Sequence, residues 1–264
     1  MWQWKNFAEE IARRAGALLK EKFSQEHEIH YKGEINLVTE ADKFSEDLIV
    51  TAISRNFPDH GILSEESPAI VGAGKMRWII DPLDGTTNYA HGYPVFCVSI
   101  ALEKDEIIIL GVIYDPMREE MFIAVRSEGA YLNGKKLSVS PTHDISRSLL
   151  ATGFPYDIRN SKENNLGYFN SMAKEAQAIR RAGAAALDIA YVAAGRFDGF
   201  WELKLMPWDM AAGLLMVEEA GGAVSDLFGG NWNISSPNVL ASNGLIQEQM
   251  IKIFKNAAKK GKQK

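Results

Sequence analysis

The sequence predicts a fold in which α-helices and β-strands are mixed and packed in layers. Helical and strand-like runs alternate along the whole chain, and neither an internal repeat nor a low-complexity linker separates them. Such interleaving is typical of helix and sheet layers that share a core. The 264 residues, 46% of them hydrophobic, supply ample core material. We expect a single unit, residues 1–264, with two packed halves, approximately 1–140 and 141–264.

In the first half, two amphipathic helices precede a block of strands. Residues 2–24 and 42–57 carry apolar side chains at helical spacing, and Pro58 ends the second helix. The strand-like run INLVT lies between them. From residue 77 the pattern changes to strands: RWIID, FCVSIAL, IIILGVIY, MFIAV and AYLNGKKL. The Asn133-Gly134 pair predicts a tight hairpin.

The second half alternates between the two kinds of element. LLATG predicts a strand, residues 164–178 a helix, and residues 183–195 a helix of small side chains. FDGFWEL predicts a strand, residues 208–219 a helix ended by Gly221-Gly222, and VLAS another strand. A helix over residues 246–258 closes the pattern.

Composition excludes several classes of protein. A formal net charge of -5 argues against direct binding of nucleic acid, which relies on dense Lys and Arg. The single cysteine, Cys97, lies in a strand-like run and is read as a buried structural thiol; it allows no internal disulfide and fits a reducing compartment. Neither a signal peptide nor a membrane span is evident. We therefore expect a cytoplasmic protein that does not bind membranes.

The segment WIIDPLDGTTNY, residues 78–89, is the most informative stretch of the chain. An apolar run ends abruptly at Asp81 and Asp84, and Gly85-Thr86 follows. A buried strand would thus deliver two carboxylates to the point where a helix begins, and the unpaired N–H groups of a helix start suit a phosphate. Carboxylates and phosphate repel each other unless a cation lies between them. The segment predicts a site where a divalent metal bridges protein and phosphate ester.

Three further acidic segments have the same character, although each has a simpler explanation. Glu65 follows an apolar run in ILSEES, where an acidic pair is often just a solvated loop. Asp42 in LVTEAD and Asp209 in PWDMAAG lie at predicted helix starts, where an acid ordinarily caps the helix or complements its dipole.

Taken together, these acids indicate a hard cation. Two carboxylates about 4 Å apart repel by roughly 4 kcal/mol even at an effective dielectric constant of about 20, so a cluster of four requires cations. Oxygen ligands without nearby Cys or His select Mg²⁺, or Mn²⁺, over zinc.

These motifs resemble those of the inositol monophosphatase family of Mg²⁺-dependent, lithium-sensitive phosphatases. DPLDGTTN is similar to the first signature of the family and WDMAAGLLMVEEAGG to the second, while SEES and VTEAD match two further metal-site segments. The resemblance extends from about residue 5 to residue 256. It implies a layered αβαβα sandwich of the α+β class, which usually assembles as a homodimer.

The resemblance also implies a ligand set for two to three Mg²⁺ ions. Glu65, Asp81 and the carbonyl oxygen of Leu83 would hold the first ion. Asp81, Asp84 and Asp209 would hold the second, so that Asp81 bridges the two. Asp84 and Asp209 would also face the substrate.

Further positions of the family pattern would act on water and phosphate. Asp42 would help to hold a weaker third ion through water and would pair with Thr86 to orient the attacking water. That pair, or Glu65, would accept the proton of the water. Gly85 and Thr86 would offer backbone amides to the phosphate.

A last group of positions would contact the rest of the substrate. Gly183, Ala184 and Ala185 would lie beside its ring, although small residues there also serve close helix packing. Glu202 would bind its hydroxyl groups; the alternative is an acid that merely ends a strand.

The leading reaction that this resemblance implies is hydrolysis of inositol 1-phosphate. Fructose-1,6-bisphosphatase or dual sugar phosphatase activity is the main alternative, and histidinol phosphate, NADP and 3′-phosphoadenosine 5′-phosphate are further substrates in the same class. A hypothesis of another class is contact with RNA polymerase, as in some bacterial relatives, through RRAGAAALD and the basic tail KKGKQK.

Overall fold

The computed structural model of the chain describes residues 1–23, 29–31 and 37–261. Residues 262–264 of the basic tail and the first two residues of INLVT lie outside this range. In the described part, the helices are α1 (Trp2–Lys22), α2 (Glu40–Asn56), α3 (Thr86–Ala90), α4 (Leu166–Met172), α5 (Ala185–Ala193), α6 (Pro207–Glu219) and α7 (Gln247–Gly261).

The strands of the described residues form three sheets. A two-stranded antiparallel ribbon pairs β1 (Ile29–Tyr31) with β2 (Leu37–Thr39). A seven-stranded sheet follows the chain order from β3 to β9. Its members are β3 (Gly61–Ser64), β4 (Met76–Asp84), β5 (Cys97–Lys104), β6 (Ile107–Asp115), β7 (Glu120–Val125), β8 (Gly129–Leu132) and β9 (Lys135–Lys136). A five-stranded sheet has the order β11-β10-β12-β14-β13, with β10 (Leu149–Thr152), β11 (Ala178–Arg180), β12 (Gly199–Leu203), β13 (Ala223–Ser225) and β14 (Asn238–Ser242).

Three apolar clusters show how these elements stack. Strand β4 sends Trp78 and Ile80 into a cluster with α1 and α2, whereas Ile79 between them points to the opposite face, as the period of a strand requires. That opposite face packs on α5 and α6, which are covered on their other side by the five-stranded sheet. Helices α4 and α7 close the outer face of the latter sheet. The order is therefore αβαβα, and the predicted fold class is confirmed.

The boundary near residue 141 lies between the two larger sheets. The seven-stranded sheet ends at Lys136, and the five-stranded sheet begins at Leu149. Helix α6 of the second half nevertheless packs against β4–β8 of the first. The layers of one half thus cover those of the other. The division of the chain into two halves therefore stays a prediction.

Two local expectations differ from the structure. The helix predicted over residues 164–178 is wrong beyond Met172, because residues 178–180 form β11 and pair in parallel with β10. Local helical periodicity is overridden here by a place at the edge of the sheet. Strands β1, β3 and β13 were not predicted, since their three or four residues are too few to show a period. The hairpin at Asn133-Gly134 is present, with both residues at positive φ.

No helix within the described residues is both long enough and apolar enough to cross a membrane.

Candidate active site

Strand β4 delivers the two carboxylates of the DPLD segment to the edge of a deep cleft. Asp81 is 2% exposed and Asp84 is 8% exposed. Asp81 Oδ1 accepts a hydrogen bond of 3.0 Å from the Leu83 N–H, which shapes the turn between them. The pairing of β4 with β5 becomes irregular between Asp81 and Asp84, so both acids leave the regular ladder. This irregularity lets two acids three residues apart face the same space.

Gly85 connects this strand to helix α3. Its φ of 93° lies in the left-handed region, and a Cβ there would lie 2.9 Å from the carbonyl oxygen of Val95. Only glycine fits both conditions. The turn therefore brings the N-terminus of the five-residue helix α3, beginning at Thr86, beside the two acids.

Helix α2 approaches the same turn from the other side. The Thr86 hydroxyl lies 2.9 Å from Asp42 Oδ1 and 3.1 Å from the carbonyl oxygen of Leu83. Asp42 is fully buried in the first turn of α2. The structure thus brings together the Thr86–Asp42 pair that the resemblance implied, and it places the Leu83 carbonyl within reach of the same hydroxyl.

Glu65 and Asp209 complete the acidic wall. Glu65 follows β3 in a loop, and its neighbour Glu66 donates its backbone N–H to Glu46 Oε1 at 3.2 Å. Asp209 occupies the first turn of α6, where its Oδ2 accepts the Met206 N–H at 2.7 Å. Asp209 therefore caps its helix, as the simpler explanation held, and it also lines the cleft.

The cleft has a volume of about 490 Å³. Six separate segments from both halves of the chain contribute acids to it. Its lining includes Glu65, Asp81, Leu83, Asp84, Gly85, Thr86, Gly183, Ala184, Ala185, Asp188, Glu202 and Asp209, together with Arg181, Lys204 and the loop Gly153–Asp157.

The acids of this wall share one electrostatic environment. Burial, followed by the negative charges of Glu65, Asp84 and Asp209, raises the pKa of Asp81 well above its ordinary value. Burial also raises the pKa of Asp84 and that of Asp209 to about 7, against opposing hydrogen bonds from backbone amides. Desolvation and the neighbouring negative charges both favour the neutral form of these acids and so raise their pKa values. A cation in the cleft would favour the ionised form and lower the pKa values again.

The donor chemistry fits a hard divalent cation. The potential metal ligands of the cleft are carboxylates, together with the Leu83 carbonyl and the Thr86 hydroxyl. In the part of the chain that the structure describes, no three acidic, histidine or cysteine side chains converge into a ready metal cage. The carboxylates thus share a cleft but are spread along its wall.

The remaining predicted residues also line the cleft. Gly183 has a φ of 87°, and a Cβ there would crowd the side-chain amide of Asn88. The backbone N–H groups of Ala185 and Ala186 donate to Asp84 at 3.2 and 2.8 Å. The start of α5 is therefore tied to the acidic wall.

Glu202 lies in β12 opposite this segment, 8% exposed. A Cβ on Gly153 would collide with its carboxyl group, so glycine at residue 153 leaves the space that Glu202 fills. The structure brings Glu202 into the same cleft as the metal-site acids.

Comparison with known proteins identifies the family. The model of the inositol monophosphatase family matches residues 1–259. The chain is 44% identical over 249 residues to an inositol-1-monophosphatase of Synechocystis, with 94% of this chain and 87% of that protein covered. It is 42% identical to the Nus factor SuhB of Escherichia coli, with 93% of each chain covered. The chain belongs to the inositol monophosphatase family.

The structure of an inositol monophosphatase from Anabaena agrees with this assignment. It superimposes with a TM-score of 0.89 at 41% identity, covering 97% of this chain and 96% of that one. The predicted family is confirmed, and with it the prediction that the chain is an enzyme, a phosphatase of the inositol monophosphatase family.

Sequence reasoning missed two side chains that hold the metal-site segments of this phosphatase. Ser45 Oγ donates to the carbonyl oxygen of Pro82 at 2.7 Å. Glu46 accepts hydrogen bonds from the Glu66 N–H and, at 2.5 Å, from the Ser67 hydroxyl. Both side chains are buried polar groups on an otherwise apolar helix face, next to Asp42. Their spacing of three and four residues from Asp42 is the signal that could have revealed them.

Two more contacts near the acidic wall of this inositol monophosphatase family member were not predicted. Asn88 Nδ2 donates to the carbonyl oxygens of Val95 and Ala182, at 2.7 and 2.8 Å, and so ties α3 to the segment before α5. The buried Cys97 thiol lies 3.6 Å from Asp84 Oδ2. The strand reading of Cys97 holds, but no local pattern revealed this partner.

Proposed function

We propose that this phosphatase hydrolyses inositol 1-phosphate to inositol and phosphate, using two to three Mg²⁺ ions, with Mn²⁺ as a substitute. The observation that carries the proposal is the composition of the cleft. Its lining combines four carboxylates and the start of a helix with Glu202 and a run of small residues. The first group suits cations and phosphate, and the second suits a polar ring.

The ligands of these ions are assigned on the positions of the acids. Glu65, Asp81 and the Leu83 carbonyl would hold one ion, and Asp81, Asp84 and Asp209 the next; Asp42 would support a third through water. Bound ions of this kind lower the pKa of a water and neutralise charge on the departing oxygen.

The chain's own side chains then handle the proton and the phosphate. Thr86 is held by Asp42, and its hydroxyl can orient the attacking water while Asp42 or Glu65 takes up the proton. The amides of Gly85 and Thr86 lie at the start of α3, where backbone N–H groups lack intrahelical partners and can bind phosphate oxygens. No covalent intermediate on the protein is required.

The residues beside the predicted substrate ring would orient the leaving group. Gly183, Ala184 and Ala185 present a flat wall of small residues against which a ring can lie. Glu202 is buried beside this wall and can accept hydrogen bonds from ring hydroxyls. We assign the substrate-facing role to these residues and to Asp84 and Asp209.

A dual sugar phosphatase is the second candidate, since two cationic side chains also reach the cleft. Arg181 and Lys204 belong to its lining, where they would attract the second phosphate of fructose 1,6-bisphosphate. Lys204 is already paired with Asp157 at 2.6 Å, which leaves Arg181 as the better candidate.

Similarity to the Nus factor SuhB favours a third candidate. Under this hypothesis the main role of the chain is to contact RNA polymerase, and phosphatase activity in the cleft is secondary.

We also propose that the protein is a homodimer, which light scattering of the purified chain tests directly.

The experiment is phosphate release from inositol 1-phosphate, fructose 1,6-bisphosphate, histidinol phosphate, NADP and 3′-phosphoadenosine 5′-phosphate, with Mg²⁺ and with added Li⁺. We expect preference for inositol 1-phosphate and inhibition by Li⁺. Comparable turnover of the bisphosphate would establish the dual sugar phosphatase instead. Absence of release from every ester would refute the proposal.

Asp84→Asn separates catalysis from a binding role. Because Asp84 would hold the second ion and face the substrate, we expect its substitution to lower kcat by about a hundredfold or more. Binding of purified RNA polymerase, measured on the same variant, should not change if that role exists. An Asp84→Asn variant with full phosphatase activity would contradict the ligand assignment.

A further inference from the structure

Asp188 is a buried acid of the cleft to which no role has been assigned so far. It lies near the start of α5, five residues after Gly183, and it is 2% exposed. Its Oδ1 is fully enclosed and has no hydrogen-bond partner among the residues that the structure describes. Buried polar side chains are ordinarily hydrogen-bonded, and an unsatisfied one costs stability. A buried carboxyl group without a hydrogen-bond partner in the chain is therefore a candidate for binding a ligand.

The position of Asp188 is consistent with ligand binding. Asp188 lines the same cleft as Glu202, and the charge of Asp188 acts on Glu202. The two side chains come from different elements, α5 and β12, which pack against each other, and the charge of Asp84 acts on both. The guanidinium of Arg181 acts on both acids. Two buried carboxyl groups from different elements therefore lie in the lining of the cleft.

We propose that Asp188 is a specificity-determining residue that, together with Glu202, hydrogen-bonds neighbouring hydroxyl groups of a polyol leaving group. The inference rests on the proposed function, and it names the chemical class of leaving group that Asp188 and Glu202 select. Glu202 alone would recognise one hydroxyl; the pair recognises two on one face of a ring.

Chemical complementarity limits the class to polyhydroxylated esters. A hydroxyl group can both donate and accept, so it satisfies a carboxyl group in either protonation state. A second phosphate against the pair would be repelled, and an apolar leaving group would bury both acids without partners. Sites built to bind hydroxyls discriminate strongly against analogues that lack them, because the buried polar groups are then left unpaired.

The test compares Asp188→Asn and Asp188→Ala with the unmodified protein on two esters in the presence of Mg²⁺. Inositol 1-phosphate carries ring hydroxyls, and p-nitrophenyl phosphate carries none. We expect Asp188→Ala to raise KM for inositol 1-phosphate by about tenfold, the value of one hydrogen bond to an ionisable group, with a smaller rise for Asp188→Asn. The kcat/KM for p-nitrophenyl phosphate should change less than about twofold. Inhibition of its hydrolysis by free myo-inositol should weaken in parallel with the rise in KM.

The melting temperature provides the readout that separates recognition from a structural role. Removal of a buried acid without a partner should leave the melting temperature of both variants unchanged or raise it, since functional sites often carry such destabilising groups. A lower melting temperature with equal losses on both esters would show that Asp188 is structural and would overturn the inference. Unchanged KM for inositol 1-phosphate in both variants would overturn it too.

Failure of the proposed function gives a different pattern. If the unmodified protein releases phosphate from neither ester, the proposed function and this inference fall together. If it hydrolyses inositol 1-phosphate normally and the Asp188 variants behave like it, only the inference is lost.

Discussion

At the scale of single residues, backbone conformation places the phosphate turn. Gly85 holds a φ of 93° between the last acid of β4 and the first residue of α3. Its missing Cβ leaves room for the carbonyl oxygen of Val95 and for Ala184. The same glycine thus sets the direction of α3 and allows the second half of the chain to approach the acids.

We predict that Gly85→Ala abolishes most of the activity. A left-handed conformation costs an ordinary residue about 1–2 kcal/mol, and the added Cβ would also press on the Val95 carbonyl 2.9 Å away. The turn must shift, and the amides that face the phosphate shift with it. We expect kcat/KM for inositol 1-phosphate to fall by at least about tenfold, because displacements of about 1 Å cost that much or more.

Gly92→Ala is the matched control for this substitution. Gly92 also has a positive φ, of 68°, but a Cβ there meets nothing within 4 Å. Its substitution should lower the melting temperature slightly and leave kcat/KM unchanged. Equal activity of the two variants would show that the conformation of Gly85 is not needed for catalysis.

At the scale of elements, helix α2 connects three segments of the acidic wall. Asp42, Ser45 and Glu46 lie on one face of the helix because residues three and four apart are neighbours on a helix surface. Each contacts a different segment: Thr86, the Pro82 carbonyl, and the loop of Glu66 and Ser67. The helix therefore sets the relative positions of loops that are distant in sequence.

We predict that Glu46→Ala weakens Mg²⁺ activation more than it weakens folding. Glu46 holds the loop that carries Glu65, and loss of groups that orient a metal ligand typically reduces metal affinity by about 10–100-fold. The Mg²⁺ concentration for half-maximal activity should rise by about tenfold, with a smaller effect on kcat at saturating Mg²⁺. Glu46→Gln keeps one carbonyl acceptor and should recover most of the affinity.

Asp47→Ala controls for charge on the same helix. Asp47 is the next residue along and is exposed to solvent, so its removal changes the helix charge without touching the loop. Its Mg²⁺ dependence should match that of the unmodified protein. If Asp47→Ala and Glu46→Ala shift the Mg²⁺ dependence equally, charge rather than positioning explains the effect.

At the scale of the whole molecule, the acidic cleft links stability to pH and to metal. The pKa of Asp84 and that of Asp209 are raised from 3.8 to about 7, and the pKa of Asp81 is raised as well. The folded protein without metal therefore binds more protons than the unfolded chain between about pH 4 and pH 7. The free energy of unfolding falls with rising pH wherever the folded state binds more protons than the unfolded state.

We predict that, in the presence of EDTA, Asp84→Asn becomes more stable relative to the unmodified protein as the pH rises from 5 to 8. Asparagine cannot ionise, so the variant escapes the part of the penalty that Asp84 contributes. Thermal melts of both proteins at several pH values measure the difference in melting temperature. Saturating Mg²⁺ should abolish or reverse that difference at pH 8, since the cation favours the ionised acid. A difference that is constant with pH in EDTA would contradict the pKa shift of Asp84.

The sequence already contains the acidic wall and most of the elements that present it. Asp81 and Asp84 end an apolar strand, and Asp209 begins a helix, so their local geometry follows from short-range patterns. The layered fold and the phosphatase family follow from the same motifs. These features are local in the chain, and periodicity and turn chemistry report on local structure.

The tertiary structure alone decided which distant groups meet. Nothing in the local pattern at Ala185 and Ala186 shows that their amides bond Asp84, about a hundred residues earlier, or that Glu46 holds the loop of Glu66. The same holds for residues 178–180, whose helical pattern gives way to a strand beside β10. Asp188 looks like an ordinary helix acid until α5 is packed between two sheets and its carboxyl group loses water. Burial and long-range pairing depend on all layers at once, because desolvation is set by what covers a side chain and not by its neighbours in sequence.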